Sequence, residues 1–228
     1  MMFCGAGRNF ADFAANSISI HTPAAFADRN LVFSCLGRVH TPQILSFVWI
    51  ACVAAGLHEA ARYSFTPARA VGAPPQVQPA GEMPRVIVAL HPRCTCSRAT
   101  VEELGRSLAR AGTAVRLEVL LYQPDETSST WAEGSLAKRV GRLPGVRIRP
   151  DPGGREARKL GMPTSGHVLV YGAEGGLRFS GGVTGARGHE GPNAGAASFL
   201  AALQARPIQA ARTPVFGCGI QELPETVE

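Results

Sequence analysis

Two cysteines stand one residue apart in the string His91-Pro92-Arg93-Cys94-Thr95-Cys96-Ser97-Arg98. An apolar, β-branched run precedes the string, and a segment of helical spacing follows it. A helix N-terminus carries free N–H groups and about half a positive charge. Both stabilise a thiolate and pull its pKa below the free value of about 8.5. Arg93 and Arg98 add positive charge nearby. The thiolate is the attacking species in thiol–disulfide exchange, so a cysteine at Cys94 is an activated nucleophile. A Cys94–Cys96 disulfide would close a very small ring, and its strain would make it readily reduced.

Further residues extend the candidate chemistry. Cys218 lies between two glycines in Thr213–Ile220. His189-Glu190 is the chemical content of the glycine-rich stretch Val183–Gly195, which reads as a long loop outside the core. In a redox site Cys94 attacks, Cys96 or Cys218 resolves, and His189 serves as a base; a thiol peroxidase is a variant of this chemistry. In a metal site Cys94, Cys96 and Cys218 with His189 or His91 offer soft S and N ligands for copper or zinc. A third reading is a binding protein with idle cysteines. Beside these stand plainer roles: a buried apolar thiol for Cys218, an exposed turn for His189, and a structural residue for His167 at a strand start.

The elements that must position these groups follow from periodicity. Arg85–Leu90 (RVIVAL) reads as a buried strand. Ser97–Ala111 has Val101, Leu104 and Leu108 on one helical face, and Gly112 supplies a C-cap. Val115–Tyr122 is a second strand, Trp131–Arg142 a helix ended by Pro144-Gly145, Val146–Arg149 a short strand and Gly154–Leu160 a short helix. His167–Tyr171 and Leu177–Ser180 form a hairpin, and Asn193–Gln204 is the last helix. The order β-α-β-α-β-α-β-β-α implies an α/β sandwich with parallel strands and one closing antiparallel hairpin.

Ahead of this unit lie three different kinds of segment. Residues 1–40 show no sustained period and read as a disordered or over-extended start. Residues 41–62 contain Ile44–Leu57, fourteen residues without a charge. That length suits a signal h-region or a buried helix, and the extended segment reaches spanning length. An uncleaved single-pass anchor, a cleaved signal and a soluble core helix are the alternatives, and flanking arginines on both sides leave orientation undecided. Residues 63–84 carry five prolines and read as a stiff extended spacer. The folded unit covers 85–220, with a tail at 221–228. The formal charge of +6 is carried by scattered arginines; the lysines are Lys138 and Lys159. No basic run suggests nucleic acid.

Residues 85–205 resemble the thioredoxin superfamily, in particular its anchored extracytoplasmic branch. Cys94-Thr95-Cys96-Ser97-Arg98-Ala99 lies on that branch's C-x-x-C-R-A without a gap. Asp151–Gly161 resembles its D-x-x-G-x-x-A-x-x-x-G stretch, and Thr164–Tyr171 occupies the place of G-T-P-T-x-x-L-I. The chain is also similar to RedB-like proteins of this superfamily through HPRCTCSR, TSGHVLVY, FSGGVTGARGHEGPNAG and VFGC, over roughly residues 44–220. The resemblance implies a thioredoxin-like sandwich, a membrane-tethered domain on the extracytoplasmic (periplasmic) side, and protein thiols or disulfides of the envelope as partners. It places Cys94 at the nucleophile position and Ser97 at the resolving position. Gly166 stands where the family has a cis-proline, and a trans Ser165–Gly166 bond is expected because a cis bond there would cost about 3–4 kcal/mol.

Overall fold

The computed structural model describes residues 40–68, 74–125, 127 and 129–220; the readings for 1–39 and 221–228 lie outside them. The chain divides into two compact units within its first helix, at Cys52/Val53. That helix, α1, runs His40–Phe65, 26 residues. Side chains along it, from Ile44, Phe47 and Trp49 to Leu57, are largely exposed. By length and composition Pro42–Phe65 could cross a membrane. The helix therefore extends past residue 62 and takes in Tyr63–Phe65, which the sequence assigned to the spacer. No proline occurs between Pro42 and Pro67 to stop it earlier.

The second unit holds a five-stranded sheet in the order β3-β2-β1-β4-β5. Its strands are β1 (Arg85–Leu90), β2 (Arg116–Gln123), β3 (Val146–Pro152), β4 (His167–Tyr171) and β5 (Leu177–Gly181). β1, β2 and β3 are parallel, while β4 runs antiparallel to β1 and β5 antiparallel to β4. This is the mixed α/β sandwich with a closing hairpin that the element order implies. Helix α2 (Thr95–Ala111) buries Val101, Leu104 and Leu108 against the face that carries Val86, Val88 and Leu90. α5 (Ala194–Leu203) covers the same face with Phe199, Ala202 and Leu203. Both faces of β1 are buried, as a central strand between layers requires. The opposite face packs Ile87, Ala89, Leu120 and Tyr122 with Met162 and Ile220. At the end of α2, Gly112 adopts φ +65°, a left-handed cap that L side chains rarely adopt.

Several boundaries differ from the sequence reading. α2 starts at Thr95, with Cys94 itself as N-cap. The helix expected over Trp131–Arg142 is broken into a 3₁₀ turn, Ser129–Ala132, and a short α3, Ser135–Val140. Gly134 between them has φ 159° and ψ −167°, outside helical geometry. β3 continues to Pro152 because it pairs with β2 up to Gln123. Asp151 then accepts hydrogen bonds from Glu156 N and Ala157 N (2.8 and 3.0 Å), which fixes the start of α4 (Arg155–Lys159).

Two stretches read as peripheral are built into the fold. The proline-rich stretch is no free spacer: Gln78 N donates to Gly175 O, Gly81 N to Ala173 O, and Leu177 N to Gln76 O, each near 2.9 Å. Gly175 permits this closeness, since a Cβ there would lie 2.1 Å from Gln78 O. The loop after β5 likewise begins inside the core. Val183, Thr184 and Ala186 are buried, because Gly182 O accepts from Thr213 Oγ1 at 2.8 Å and Gly195 packs on it. The run Gly188–Glu190 is exposed, as are Gly185 and Pro192.

Candidate functional site: a three-cysteine cluster

The site forms where β1 ends and α2 begins. Cys94 takes extended geometry (φ −87°, ψ 120°) as the N-cap of α2, and its carbonyl accepts from Ser97 N at 3.1 Å. Cys94 N donates to His91 O, closing the turn. Cys96 lies within the first turn and is buried. Cys218 arrives from the far end of the chain, 124 residues on, and its sulfur stands 2.8 Å from that of Cys94.

The route of Cys218 is set by backbone pairing. After α5 the chain runs beside β5, with Ser180 N donating to Ala211 O and Thr213 N to Ser180 O. It then crosses to the loop before β4, where Ser165 N donates to Cys218 O and Ile220 N to Pro163 O, both at 2.8 Å. Thr164 and Gly219 form an antiparallel bridge. The approach is so close that a Cβ on Gly217 would fall 1.9 Å from Ser165 O. Glycine is therefore required at 217 by contact distance, independently of its backbone angles. Arg187 locks the segment from outside, donating through its guanidinium to Gly217 O and, at 3.2 Å, to Tyr63 O. Its side chain also lies over the Tyr63 ring at 4.9 Å.

Ser97, at the position where the resemblance puts a resolving cysteine, has another task. Its hydroxyl donates to His91 O (3.1 Å) and lies 2.7 Å from Ser165 Oγ, which accepts from His91 N at 2.9 Å. Each hydroxyl has one proton. Ser97 directs its own to His91 O, so the Ser97–Ser165 contact uses the Ser165 proton. The three groups form a closed ring that ties the Cys94 turn to the loop holding Cys218. Both serines are buried, so an unpaired hydroxyl here would carry its full desolvation penalty. Gly166 follows with φ +90°, and a Cβ there would sit 2.9 Å from Thr100 Oγ1. Among the described residues no peptide bond is cis, so Ser165–Gly166 is trans as the sequence led us to expect.

The three thiols differ in charge state. Burial works against the Cys94 thiolate, but hydrogen bonds from Cys218 and from the backbone N–H of Ser97 outweigh it and hold its pKa below the ordinary value. Burial and then the Cys94 charge push Cys96 up. Cys218 is pushed up to about 12 by burial, by its hydrogen bond to Cys94 and by the negative charge it faces. Of the three, Cys94 is the one whose thiolate the surroundings favour, and Cys218 the one most strongly held as a thiol. Arg187 works in the opposite direction on both neighbours, lowering Cys96 and Cys218.

His189 is engaged by groups other than the cysteines. Its Nδ1 pairs with Arg187 O at 3.0 Å and its ring centroid lies 6.1 Å from that of Phe65. His91 points its ring into an aromatic group, stacked on Tyr122 at 5.1 Å and edge-on to Trp131; burial, then the Arg93 charge, lower its pKa. His167 pairs with Ser180 Oγ at 3.0 Å, and burial lowers its pKa to about 4, so it is neutral and structural. Among the described residues, no group of three or more His, Cys, Asp or Glu side chains is placed to hold a metal ion. Sequence reasoning missed Arg187 and Ser165. Arg187 lies within a glycine-rich string whose evident chemical content is His189-Glu190; its basic charge two residues before His189 is the available signal.

Cys94 and Cys96 open onto a cleft of about 650 Å³, bounded by the α1 end at Tyr63 and Ser64, by α3 and by the Arg187–Glu190 loop.

No family model matches the chain and no curated protein matches it. Solved structures do. An uncharacterised conserved protein from Geobacillus kaustophilus superposes with TM-score 0.53 at 16% identity, over 70% of this chain and 96% of that one. That likeness shows the mixed α/β fold alone. More distant matches are a secreted Mycobacterium tuberculosis disulfide oxidoreductase homologous to E. coli DsbE (TM-score 0.32, 18% identity, 42% of this chain and 67% of that one) and the N-terminal domain of PilB from Neisseria gonorrhoeae (TM-score 0.34, 18% identity, 54% and 77%).

Proposed function

We propose that this chain is a thiol–disulfide oxidoreductase of the cell envelope, with Cys94 as nucleophile and Cys218 as resolving thiol. The observation that carries the reading is the 2.8 Å approach of the two sulfurs at the N-terminus of α2. The Cys94 thiolate attacks one sulfur of a partner disulfide, forming a mixed disulfide and releasing the other partner sulfur as a thiolate, which takes up a proton. Once Cys94 is in the mixed disulfide, its charge and its hydrogen bond to Cys218 are gone. Two of the causes that hold Cys218 protonated vanish with them. Cys218 then loses its proton, attacks Cys94 Sγ and expels the second partner thiol. Two electrons have passed from the cysteine pair to the partner, and the protein is left with a Cys94–Cys218 disulfide; the reverse sequence oxidises a partner. Cys96, one residue from Cys94 and raised in pKa, is a bystander to this exchange.

The apolar α1 supports a tether that holds the domain at a membrane, and the resemblance to RedB-like proteins supports the extracytoplasmic side. The test uses the full chain in detergent. After oxidation by a glutathione redox buffer, peptide mapping should find Cys94 joined to Cys218. Cys218→Ser should accumulate a Cys94 mixed disulfide with a model disulfide, while Cys96→Ser turns over within about threefold of the parent. A Cys94–Cys96 disulfide in the parent, or full turnover by Cys218→Ser, overturns the assignment.

A further inference from the structure

The cleft in front of Cys94 is markedly cationic. Arg93, Arg98, Arg139 and Arg187 line it, and Glu190 is its acidic lining residue. Arg106, outside the cleft, pairs with Glu190 at 3.2 Å and with Glu103 at 2.7 Å, so it offsets part of the Glu190 charge. Arg139 pairs with Glu102, also outside it. Arg187 spends its donors on the neutral carbonyls of Gly217 and Tyr63, so its charge remains. Arg93 lies over the Trp131 face at 4.4 Å, a contact that orients the guanidinium without cancelling it. Arg98 is exposed one turn into α2. The partial positive charge of the helix N-terminus has the same sign.

The direction of exchange points into this cleft. Attacking and leaving sulfurs lie on opposite sides of the central sulfur. Cys218 is not among the cleft-lining residues, whereas Cys94 is. A partner sulfur displaced by Cys218 therefore departs toward the arginines. We propose that the partner is a protein segment whose disulfide-bonded cysteine is flanked by carboxylates, held in the cleft by Arg93 and Arg98 beside Cys94. This rests on the redox assignment above and names the partner's chemistry. Guanidinium groups suit carboxylates because their planar forks donate two parallel hydrogen bonds. The cleft volume is within the range of about 300–1,000 Å³ typical of ligand sites.

The experiment measures oxidation of the reduced full chain, in detergent, by three symmetric disulfides of blocked tripeptides: Glu-Cys-Glu, Gln-Cys-Gln and Lys-Cys-Lys. The expected order is Glu over Gln over Lys, with about 10-fold or more between the extremes at low salt. The spread should narrow at an ionic strength of about 1 M, where the screening length falls to about 3 Å. Arg93→Gln/Arg98→Gln should bring the three rates within about twofold of one another, while Arg147→Gln, on the exposed β3 edge, preserves the order. Rates within twofold in the parent, a Lys-first order, or an order that survives in the double variant overturn the proposal while leaving the redox assignment standing. Failure of all three peptides to oxidise Cys94 instead removes the redox assignment itself.

Discussion

At the scale of single residues, the site divides labour among three thiols that would be equivalent in a free peptide. Burial raises all three, and what separates them is who donates to whom. Cys94 receives hydrogen bonds from Cys218 and Ser97 and ends below its ordinary pKa; Cys218 gives one and is pushed up to about 12. The sign of the pH dependence follows. Cys94 is reactive as the thiolate, so its alkylation by iodoacetamide should fall as pH drops through its lowered pKa, with a midpoint below that of an ordinary free thiol measured alongside. Cys218→Ala removes the leading hydrogen bond and should move that midpoint upward, read by mass-resolved alkylation rates between pH 5 and 10. An unmoved midpoint would mean that α2 and Ser97 alone activate Cys94. Ser97 cannot resolve anything, having no sulfur, but its hydroxyl closes the ring with His91 and Ser165 that holds the two halves of the site in register.

At the scale of elements, the decisive structure is an irregular one. The Val215–Ile220 segment belongs to no strand or helix, yet its pairing with Pro163–Ser165 brings Cys218 to Cys94. Its weak point is Gly217. Gly217→Ala would put a methyl group 1.9 Å from Ser165 O and force the two backbones apart. Overpacking of this kind typically costs about 1–3 kcal/mol, and here it falls on the pairing that delivers Cys218. The expected outcome is a modest drop in Tm with a loss of at least about 10-fold in the rate of Cys94–Cys218 disulfide formation, followed by quenched-flow alkylation and mass mapping. Unchanged disulfide formation would show that the segment reaches Cys94 by another path. The loop after β5 makes a related point. Its glycines serve close packing at Gly182 and Gly195, and the cation that matters is Arg187 beside them.

At the scale of the whole molecule, an apolar helix precedes an α/β domain on one chain. α1 is long and apolar enough to cross a bilayer, and its C-terminal residues Tyr63 and Ser64 reach the rim of the cysteine cleft. Arg187 N donates to Ser64 O at 3.0 Å, and its guanidinium reaches Tyr63 O. A helix of this length and composition would hold the chain in a bilayer. Alkaline carbonate washing of membranes should therefore leave the intact chain in the pellet. Recovery of full-length protein in the supernatant would exclude an integral anchor.

The sequence by itself determined the local chemistry and the order of elements. The spacing of Val101, Leu104 and Leu108, the β-branched run before His91 and the turn at Gly175-Gly176 are short-range signals, and each describes its own neighbourhood. They were enough to put Cys94 at a helix start and to order the strands as a sandwich with a closing hairpin. Helix boundaries at Gly134 and Phe65 were less legible, because a single unusual backbone angle or the absence of a breaker decides them. Only the tertiary structure decided which residue faces Cys94. Cys218, 124 residues away, gains its place from backbone hydrogen bonds to Pro163 and Ser165, and backbone groups are alike at every position of a sequence. The same holds for Ser165 and Arg187: their roles come from what a distant segment presents to them, so neither residue type nor local spacing could announce them. The approach of Cys218 to Cys94 is likewise a property of the folded chain, since Cys96, two positions on, is held along the helix while Cys218 is delivered onto it.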